Sequence, residues 1–521
     1  MRSRRRRSRR HPRPEADSEL PDTVGIGGWR LRHPPIPLSC EDVVFGVGGD
    51  GDMSANARSA SARWVDRKRP LWLLALVMPL LPFMAIGMFT LTGLGVWLWL
   101  GPIVILGVVP AIDWLTGADP SNPPDDALAR LESDRYYRWL TFLFLPLQYA
   151  AFVLACWTIV NGPLTTTDRI GLAVTVGFIG GLGINTAHEL GHKRESHERW
   201  LSRLALTQTG YGHFFVEHNR GHHVRVATPQ DPASARLGES FYRFWPRTVL
   251  GSLRSAWTLE RGRIQRRGGS PVRFDNDVVA GLLLTVLLWA ALLVWLGPVL
   301  LPFLILQAIV GFTLLEAVNY LEHYGLLRQR VGVGDRERYE RVAARHSWNA
   351  NQVTTNVLLY HLQRHSDHHA NPTRRYQALR DDDTAPVLPA GYAAMILLAL
   401  IPPLWFRVMD PRVIAHYDGD VMRANLHPPR RARLLRRFPP ADARTTAASK
   451  LPTQSAATAQ LGAGSEPIEC PGCGYRYDPT LGDRREGFLP GTSFLQIPED
   501  WPCPDCGVRC RAEFVPAASP G

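Results

Sequence analysis

LWLLALVMPLLPFMAIGMFTLTGLGVWLWLGPIVILGVVPAI, residues 71–112, holds no ionisable side chain. It divides into two runs, 71–90 and 93–112, each of the roughly 20 helical residues that cross a bilayer. Similar runs recur near 139–160, 170–190, 278–296 and 299–320. Averaged over 521 residues the chain is 45% apolar and 20% charged, like a soluble enzyme, but the charge avoids these six runs. The expected architecture is an all-α polytopic membrane protein with six transmembrane helices. A single water-soluble globule is excluded.

Charge sets the expected orientation. Eight arginines fall within the first thirteen residues, and the net charge is +12. Arg-rich arms can bind nucleic-acid phosphate. Beside six spans, residues 1–66 read instead as a disordered basic arm that touches anionic lipid and keeps the N-terminus cytoplasmic. No nucleic-acid partner is expected. The outer segments 161–168 and 297–298 then contain no Lys or Arg, whereas the inner loop 113–138 carries Arg130, Arg135 and Arg138. The inner stretch 193–277 is basic from Lys193 and Arg194 to Arg266, Arg267 and Arg273. Basic loops on one side place both termini in the cytoplasm of a bacterial inner membrane.

A further apolar stretch, Tyr392 to Met409, is broken by Pro402-Pro403. A seventh crossing would put the C-terminus outside, so it reads as an interfacial or re-entrant helix. Residues 421–465, rich in Arg, Pro, Ala and Thr, read as a flexible linker. The expected domains are the arm (1–66), a transmembrane domain (67–420), the linker (421–465), a small cysteine-rich domain (466–515) and a tail (516–521).

Thirteen of seventeen histidines lie between 188 and 369. Nine occupy four motifs: His188-Glu-Leu-Gly-His192, Glu217-His218-Asn-Arg-Gly-His222-His223, Asn319-Tyr-Leu-Glu-His323-Tyr-Gly325 and His365-Ser-Asp-His368-His369. Helical separations of three and four share a face, so three of the motifs aim two or more imidazoles at one point. Neutral imidazole suits iron, zinc, copper and nickel. Nine exceed the positions of one octahedral ion, which implies at least two ions. The fourth and sixth spans carry His188, His192 and His323 to the same membrane face. His-Glu-x-x-His alone would fit a zinc-protease helix, but that reading leaves seven histidines idle. His197, His213, His346 and His361 lie outside the motifs and read as packing or surface residues.

Five of seven cysteines fall between 470 and 510. Cys470-Pro-Gly-Cys473 and Cys503-Pro-Asp-Cys506 form two knuckles separated by 29 residues, a four-thiolate metal signal. A cytoplasmic location argues against disulfides. Between and around the knuckles stand Gly474-Tyr475-Arg-Tyr477-Asp478-Pro479, Gly491-Thr-Ser-Phe494, Trp501-Pro-Cys503 and Phe514. This stretch, roughly 467–515, resembles rubredoxin. The resemblance implies a small metal-stapled β domain with one iron on Cys470, Cys473, Cys503 and Cys506. A zinc ribbon is the alternative. The aromatic residues supply a core that shields the thiolates. Eight acids against five arginines make residues 467–515 acidic, which suits docking on the basic loops.

The four histidine motifs resemble those of the membrane alkane 1-monooxygenases, within the wider class of histidine-rich di-iron membrane oxygenases, over about residues 67–410. The resemblance implies a cytoplasmic helical di-iron site. Its two non-haem irons would be held by His188, His192, His218, His222, His223, His323, His365, His368 and His369. It also implies terminal hydroxylation of n-alkanes with dioxygen as co-substrate. Electrons would come from a rubredoxin served by a soluble flavoprotein reductase with NAD(P)H. The alkane would enter from lipid. Two ferrous ions on neutral ligands leave about four positive charges to desolvate. Carboxylates should therefore back the imidazoles, and Glu189, Glu217, Glu316, Glu322 and Asp367 are the candidates. A terminal C–H bond offers no acid, base or polar handle, so no separate acid or base is assigned and the metal centre must supply the oxidant. A flexible 45-residue linker has an r.m.s. span of roughly 35–40 Å, enough for the redox domain to swing between a reductase and the di-iron face. The rival functions are a fatty-acyl desaturase or hydroxylase of the same metal class, and a membrane metal or redox sensor.

Overall fold

The computed structural model describes residues 64–332, 337–440, 466–499 and 501–517. The basic arm to residue 63, the linker from 441 to 465 and the tail from 518 lie outside the described residues. Among the described residues, six helices are long and apolar enough to cross a membrane: Leu71–Thr92, Gly95–Thr116, Arg135–Asn161, Thr166–Gly191, Asp277–Leu296 and Pro298–His323. The third, fourth and fifth start under short polar side-chain caps. Asp134 accepts from Tyr136 N at 2.9 Å, Thr165 and Asp168 form a reciprocal capping box, and Asn276 accepts from Val278 N at 2.9 Å, satisfying N–H groups with no intrahelical partner.

The fourth span is the hub. Its apolar stretch is 89% buried, against 22% for the second and fifth spans, because glycines bring its neighbours close. A Cβ on Gly177 would lie 2.6 Å from Val310 Cβ, and one on Gly311 would lie 3.2 Å from the Gly177 carbonyl oxygen. The fourth and sixth spans thus meet backbone to backbone, as small residues permit in membranes. Both end in motif histidines.

The stretch after the fourth span is not a surface loop throughout. Helix Ser196–Thr207 folds back antiparallel to that span. Ser202 Oγ donates to the Ala187 carbonyl at 2.6 Å, and Thr209 Cγ2 lies 2.9 Å from where a Gly180 Cβ would be. At the bottom of this dip Gln208 accepts from Gln148 at 2.8 Å and receives Gln307 Nε2 on its carbonyl at 2.9 Å. A polar clamp there joins the third and sixth spans. Charges such as Glu198 and Arg203 mask the dip in a hydropathy reading.

Tyr392–Ala399 and Pro402–His416 meet at a 120° bend, with the second helix starting at Pro402-Pro403. Two boundary expectations need correction. Residues 421–440 are not flexible linker: they form short helical turns and helix Arg431–Arg437, with Val421, Ala424 and Leu434 buried in a core containing Tyr320, Tyr392 and Trp405. Their few apolar residues are spaced out among arginines, yet all find one surface. Nor do Trp64–Asp66 belong to a free arm. Asp66 Oδ2 accepts from Trp72 Nε1 at 2.9 Å and from the Tyr137 hydroxyl at 2.8 Å.

In the cysteine-rich domain Ile468–Glu469 is the central strand of a three-stranded antiparallel sheet, flanked by Arg476–Tyr477 and Val515–Pro516. Tyr477, Phe488, Phe494, Trp501 and Phe514 form its core together with the four cysteines.

Candidate active site

All nine motif histidines converge, in two adjoining buried groups. One contains His188, His192, His218, His223 and His368; the other contains His222, His323, His365 and His369. In the first, the His188 and His368 Nε2 atoms stand 2.9 Å apart, His218 and His223 Nε2 3.1 Å, and His223 and His368 Nε2 3.2 Å. In the second, His365 Nε2 is 2.9 Å from His369 Nε2 and 3.2 Å from His323 Nε2. Two nitrogens each about 2.1 Å from one ion at right angles would be about 3.0 Å apart. Nε2 of His192 and of His222 is buried with no hydrogen-bond partner, which a core imidazole rarely tolerates. Burial, joined by the neighbouring imidazoles, pulls the pKa of His192, His218, His223, His365, His368 and His369 well below the usual value. These rings are therefore neutral, the form that binds metal. Both groups fit a metal ion by donor type, spacing and protonation.

Local geometry sorts the rings. His188 and His192 sit four residues apart at the end of the fourth span, and His365 and His369 repeat the spacing in helix His365–Ala370. His218–His222 is instead a π turn. Its extra residue per turn pairs His218 with His223, five apart, and sends His222 to the other pocket. Spacing of three and four would have paired His218 with His222. The pockets share a wall, with the His223 and His369 ring centres 4.5 Å apart.

Of the five acidic candidates only Glu322 faces a motif histidine, its Oε1 lying 3.2 Å from His365 Nδ1. Glu189 pairs with Lys193 at 3.0 Å, Glu217 with Arg225 at 2.9 Å, and Asp367 with Arg374 at 2.7 Å. Glu316 accepts from Tyr211 at 2.6 Å and Thr248 at 2.8 Å. For Glu189, Glu217 and Asp367 the reason is helical geometry: adjacent residues point about 100° apart, so an acid next to a metal-facing histidine is turned off that histidine's face. The zinc-protease reading also loses its base, since Glu189 is held by Lys193. The missed carboxylate is Asp231, whose Oδ2 is 2.9 Å from His222 Nδ1 and accepts from Ser234 Oγ at 2.6 Å. Burial alone would raise its pKa, but His222 and Ser234 hold it well below the usual range. No motif marks Asp231 in the sequence.

His197, His213, His346 and His361 stand outside both groups. His346 supports the site indirectly: its Nε2 lies 3.1 Å from Glu340, and its carbonyl lies 3.3 Å from His323 Nδ1.

The four cysteines come together as a third group. Sγ separations of 3.8 Å (Cys470 to Cys506) and 3.6 Å (Cys473 to Cys503) match the edge of about 3.8 Å expected for sulfurs 2.3 Å from a tetrahedral ion. This domain rests on the histidine domain through opposite charges. Glu486, 3% exposed, receives Arg220 Nη2 at 3.1 Å and Arg266 Nη2 at 3.3 Å, and Arg220 also pairs with Glu260 at 2.5 Å. Arg485 with Asp277, Arg194 with Asp505 and Arg341 with Glu513 complete the seam. In the same seam Gly507 has φ +68°; a Cβ there would lie 2.3 Å from the Asn219 carbonyl oxygen and 3.4 Å from His223 Cβ. Only glycine lets this knuckle touch the turn that carries His218 and His223.

Residues 169–399 match the fatty acid desaturase family, and residues 467–514 match rubredoxin. Alkane 1-monooxygenase 1 of Alcanivorax borkumensis is 46% identical over 366 residues, covering 70% of this chain and 90% of the relative. The alkane 1-monooxygenase of Acinetobacter baylyi is 46% identical over 389 residues, covering 73% and 93%. That of Pseudomonas putida is 43% identical over 380 residues, covering 73% and 94%. The described residues bring together six helices fit to cross a membrane, two histidine pockets and a four-cysteine site, and with these relatives the chain belongs to the alkane 1-monooxygenase family, with a C-terminal rubredoxin domain.

Proposed function

We propose that this protein converts n-alkanes to primary alcohols, R–CH3 + O2 + 2 e− + 2 H+ giving R–CH2OH + H2O, with both electrons passing through its own rubredoxin domain. The observation that carries the reading is the contact of Gly507 with Asn219 and His223, which sets the four-cysteine site against the five-histidine pocket. His188, His192, His218, His223 and His368 would hold one iron, and His222, His323, His365 and His369 the second. Bound irons would supply the activation of dioxygen that an unactivated C–H bond demands. Asp231 would orient His222 through their 2.9 Å hydrogen bond, and Glu322, 3.2 Å from His365 Nδ1, would offset charge. Cys470, Cys473, Cys503 and Cys506 would hold a third iron that delivers electrons singly, received from a soluble NAD(P)H-dependent flavoprotein reductase.

The substrate reaches the site from lipid. An apolar groove of about 530 Å³ between the fifth and sixth spans is lined by Leu282, Val286, Trp289, Ile305, Ile309 and Phe312. Phe312 stacks on Tyr211 at 5.0 Å, and Phe214 stacks on His218 at 4.8 Å, so an apolar row leads from the groove to the first pocket. In this reading the metal sites and both termini belong to the cytoplasmic side of a bacterial inner membrane, and the basic loops of the sequence support that orientation. Cys473→Ser tests the electron route. It should abolish the visible band of the four-cysteine iron and lower octane hydroxylation more than 100-fold, with iron in the histidine pockets retained. Undiminished hydroxylation would refute internal delivery.

A further inference from the structure

The two cysteine knuckles are near copies, Cys470-Pro-Gly-Cys-Gly474 and Cys503-Pro-Asp-Cys-Gly507. Each closes with a glycine in the left-handed region, φ +70° and +68°. Each of those glycines donates its N–H to the carbonyl of the knuckle's first cysteine, at 2.8 and 2.9 Å. Their surroundings differ, although Arg194 reaches both: it pairs with Asp505, and its Nη2 lies 3.5 Å from the Cβ position of Gly474. Gly507 is buried on Asn219, and Asp505 is partly covered beside Arg194. Pro471, Gly472 and Gly474 are exposed.

We propose that the first knuckle is the binding face for the electron-donating reductase while the rubredoxin domain stays docked. Electrons then enter at Cys470–Gly474 and leave at Cys503–Gly507 without the domain swinging away. The inference rests on the reading of internal electron delivery above. Three observations carry it. The cover over the first pair of sulfurs is thin: a Cβ on Gly472 would lie only 3.9 Å from Cys470 Sγ, so a donor seated there comes close to the metal-binding atoms. The docked seam is built to persist, because undocking would strip the buried Glu486 of both Arg220 and Arg266, twice in every two-electron turnover. Finally, the exposed knuckle carries charge of both signs at its border: Glu469 Oε1 lies 3.2 Å and Arg194 Nη2 3.5 Å from the Cβ position of Gly474, and Arg509 Nε lies 3.3 Å from that of Gly472, which suits a flavoprotein whose rim pairs with both signs. That partner is a flavoprotein that takes hydride from NAD(P)H and releases the two electrons singly: NAD(P)H + 2 Fe3+ gives NAD(P)+ + H+ + 2 Fe2+.

The test locks the domain in place. In the full chain with Cys40→Ala and Cys510→Ala, Arg485→Cys and Asp277→Cys are joined by a short bis-maleimide bridge; the native pair is 3.5 Å apart. With reductase and NADH the locked chain should bleach its visible band at a rate within about threefold of the unlocked chain, and both should make octanol. Hydrogen–deuterium exchange on the unlocked chain should show residues 471–474 becoming protected when the reductase is added. Gly472→Glu, where the backbone permits a side chain, should slow bleaching by the reductase at least tenfold and leave bleaching by dithionite unchanged. A locked chain that dithionite bleaches but the reductase does not would overturn the proposal, because the domain must then leave to be reduced. Normal bleaching of both chains with octanol from neither would instead overturn the underlying reading of electron delivery.

Discussion

At the scale of single residues, the site depends on a carboxylate, Asp231, that sequence adjacency does not identify. Asp231→Asn should release His222 and weaken iron binding in the four-histidine pocket by 10- to 100-fold, the usual cost of losing a group that orients a ligand. Glu189→Gln should leave iron content unchanged, since Glu189 faces Lys193. Iron per chain by mass spectrometry separates the two, and equal iron in both variants would contradict the assignment. A second buried carboxylate holds the scaffold. Asp119 pairs with Lys68 and, at 2.9 Å, with Arg364. Burial alone would raise its pKa, but His361, Lys68 and Arg364 bring it below the usual value. Its stabilising contribution is therefore whole above the unfolded pKa of about 3.9 and drains away as pH falls toward the folded value. Asp119→Asn should cost about 3–5 kcal/mol at neutral pH, with the gap from the parent closing in acid. Thermal unfolding in detergent from pH 7 downward measures this, and a gap independent of pH would contradict it.

At the scale of elements, the backbone contact between the fourth and sixth spans positions His323 against the rings carried by the fourth span's neighbours. Gly311→Val should be destabilising by about 1–3 kcal/mol through overpacking, because even a Cβ there would lie 2.8 Å from Thr209 Cγ2. It should deplete the four-histidine pocket of iron before the five-histidine pocket. Unchanged melting and iron content would mean that the close approach is dispensable. The six spans and four motifs were legible because uninterrupted apolarity and histidine spacing are direct marks of span and ligand. The π turn was not: His218-Asn-Arg-Gly-His222 reads equally well as an α-helix, and only the surrounding packing selects the wider turn. The dip of residues 196–215 into the bundle was hidden for a different reason. Glu198, Arg203 and Gln208 lower its hydropathy, yet each finds a polar partner inside. Residues 421–440 were misread because isolated apolar side chains such as Leu434 form no run.

At the scale of the whole molecule, complementary charge joins the two metal-binding parts, and Glu486 is its buried centre. Glu486→Lys should lower octane turnover at least tenfold with the four-cysteine band intact, and Arg266→Glu in the same chain should restore part of it. Turnover insensitive to either change would remove the seam from the electron route. The acidic balance of residues 467–515 was enough to expect docking on basic loops. Which knuckle faces the histidines was not legible, because the two knuckles are near copies and only Asn219 and its turn distinguish them. The central claim, terminal hydroxylation with electrons drawn through the chain's own rubredoxin domain, is most directly tested by product analysis. Membranes containing the intact chain, supplied with octane, 18O2, NADH and a rubredoxin reductase, should yield 1-octanol carrying one 18O atom as the visible band bleaches and recovers. Bleaching without 1-octanol, or alcohol without 18O, would contradict it.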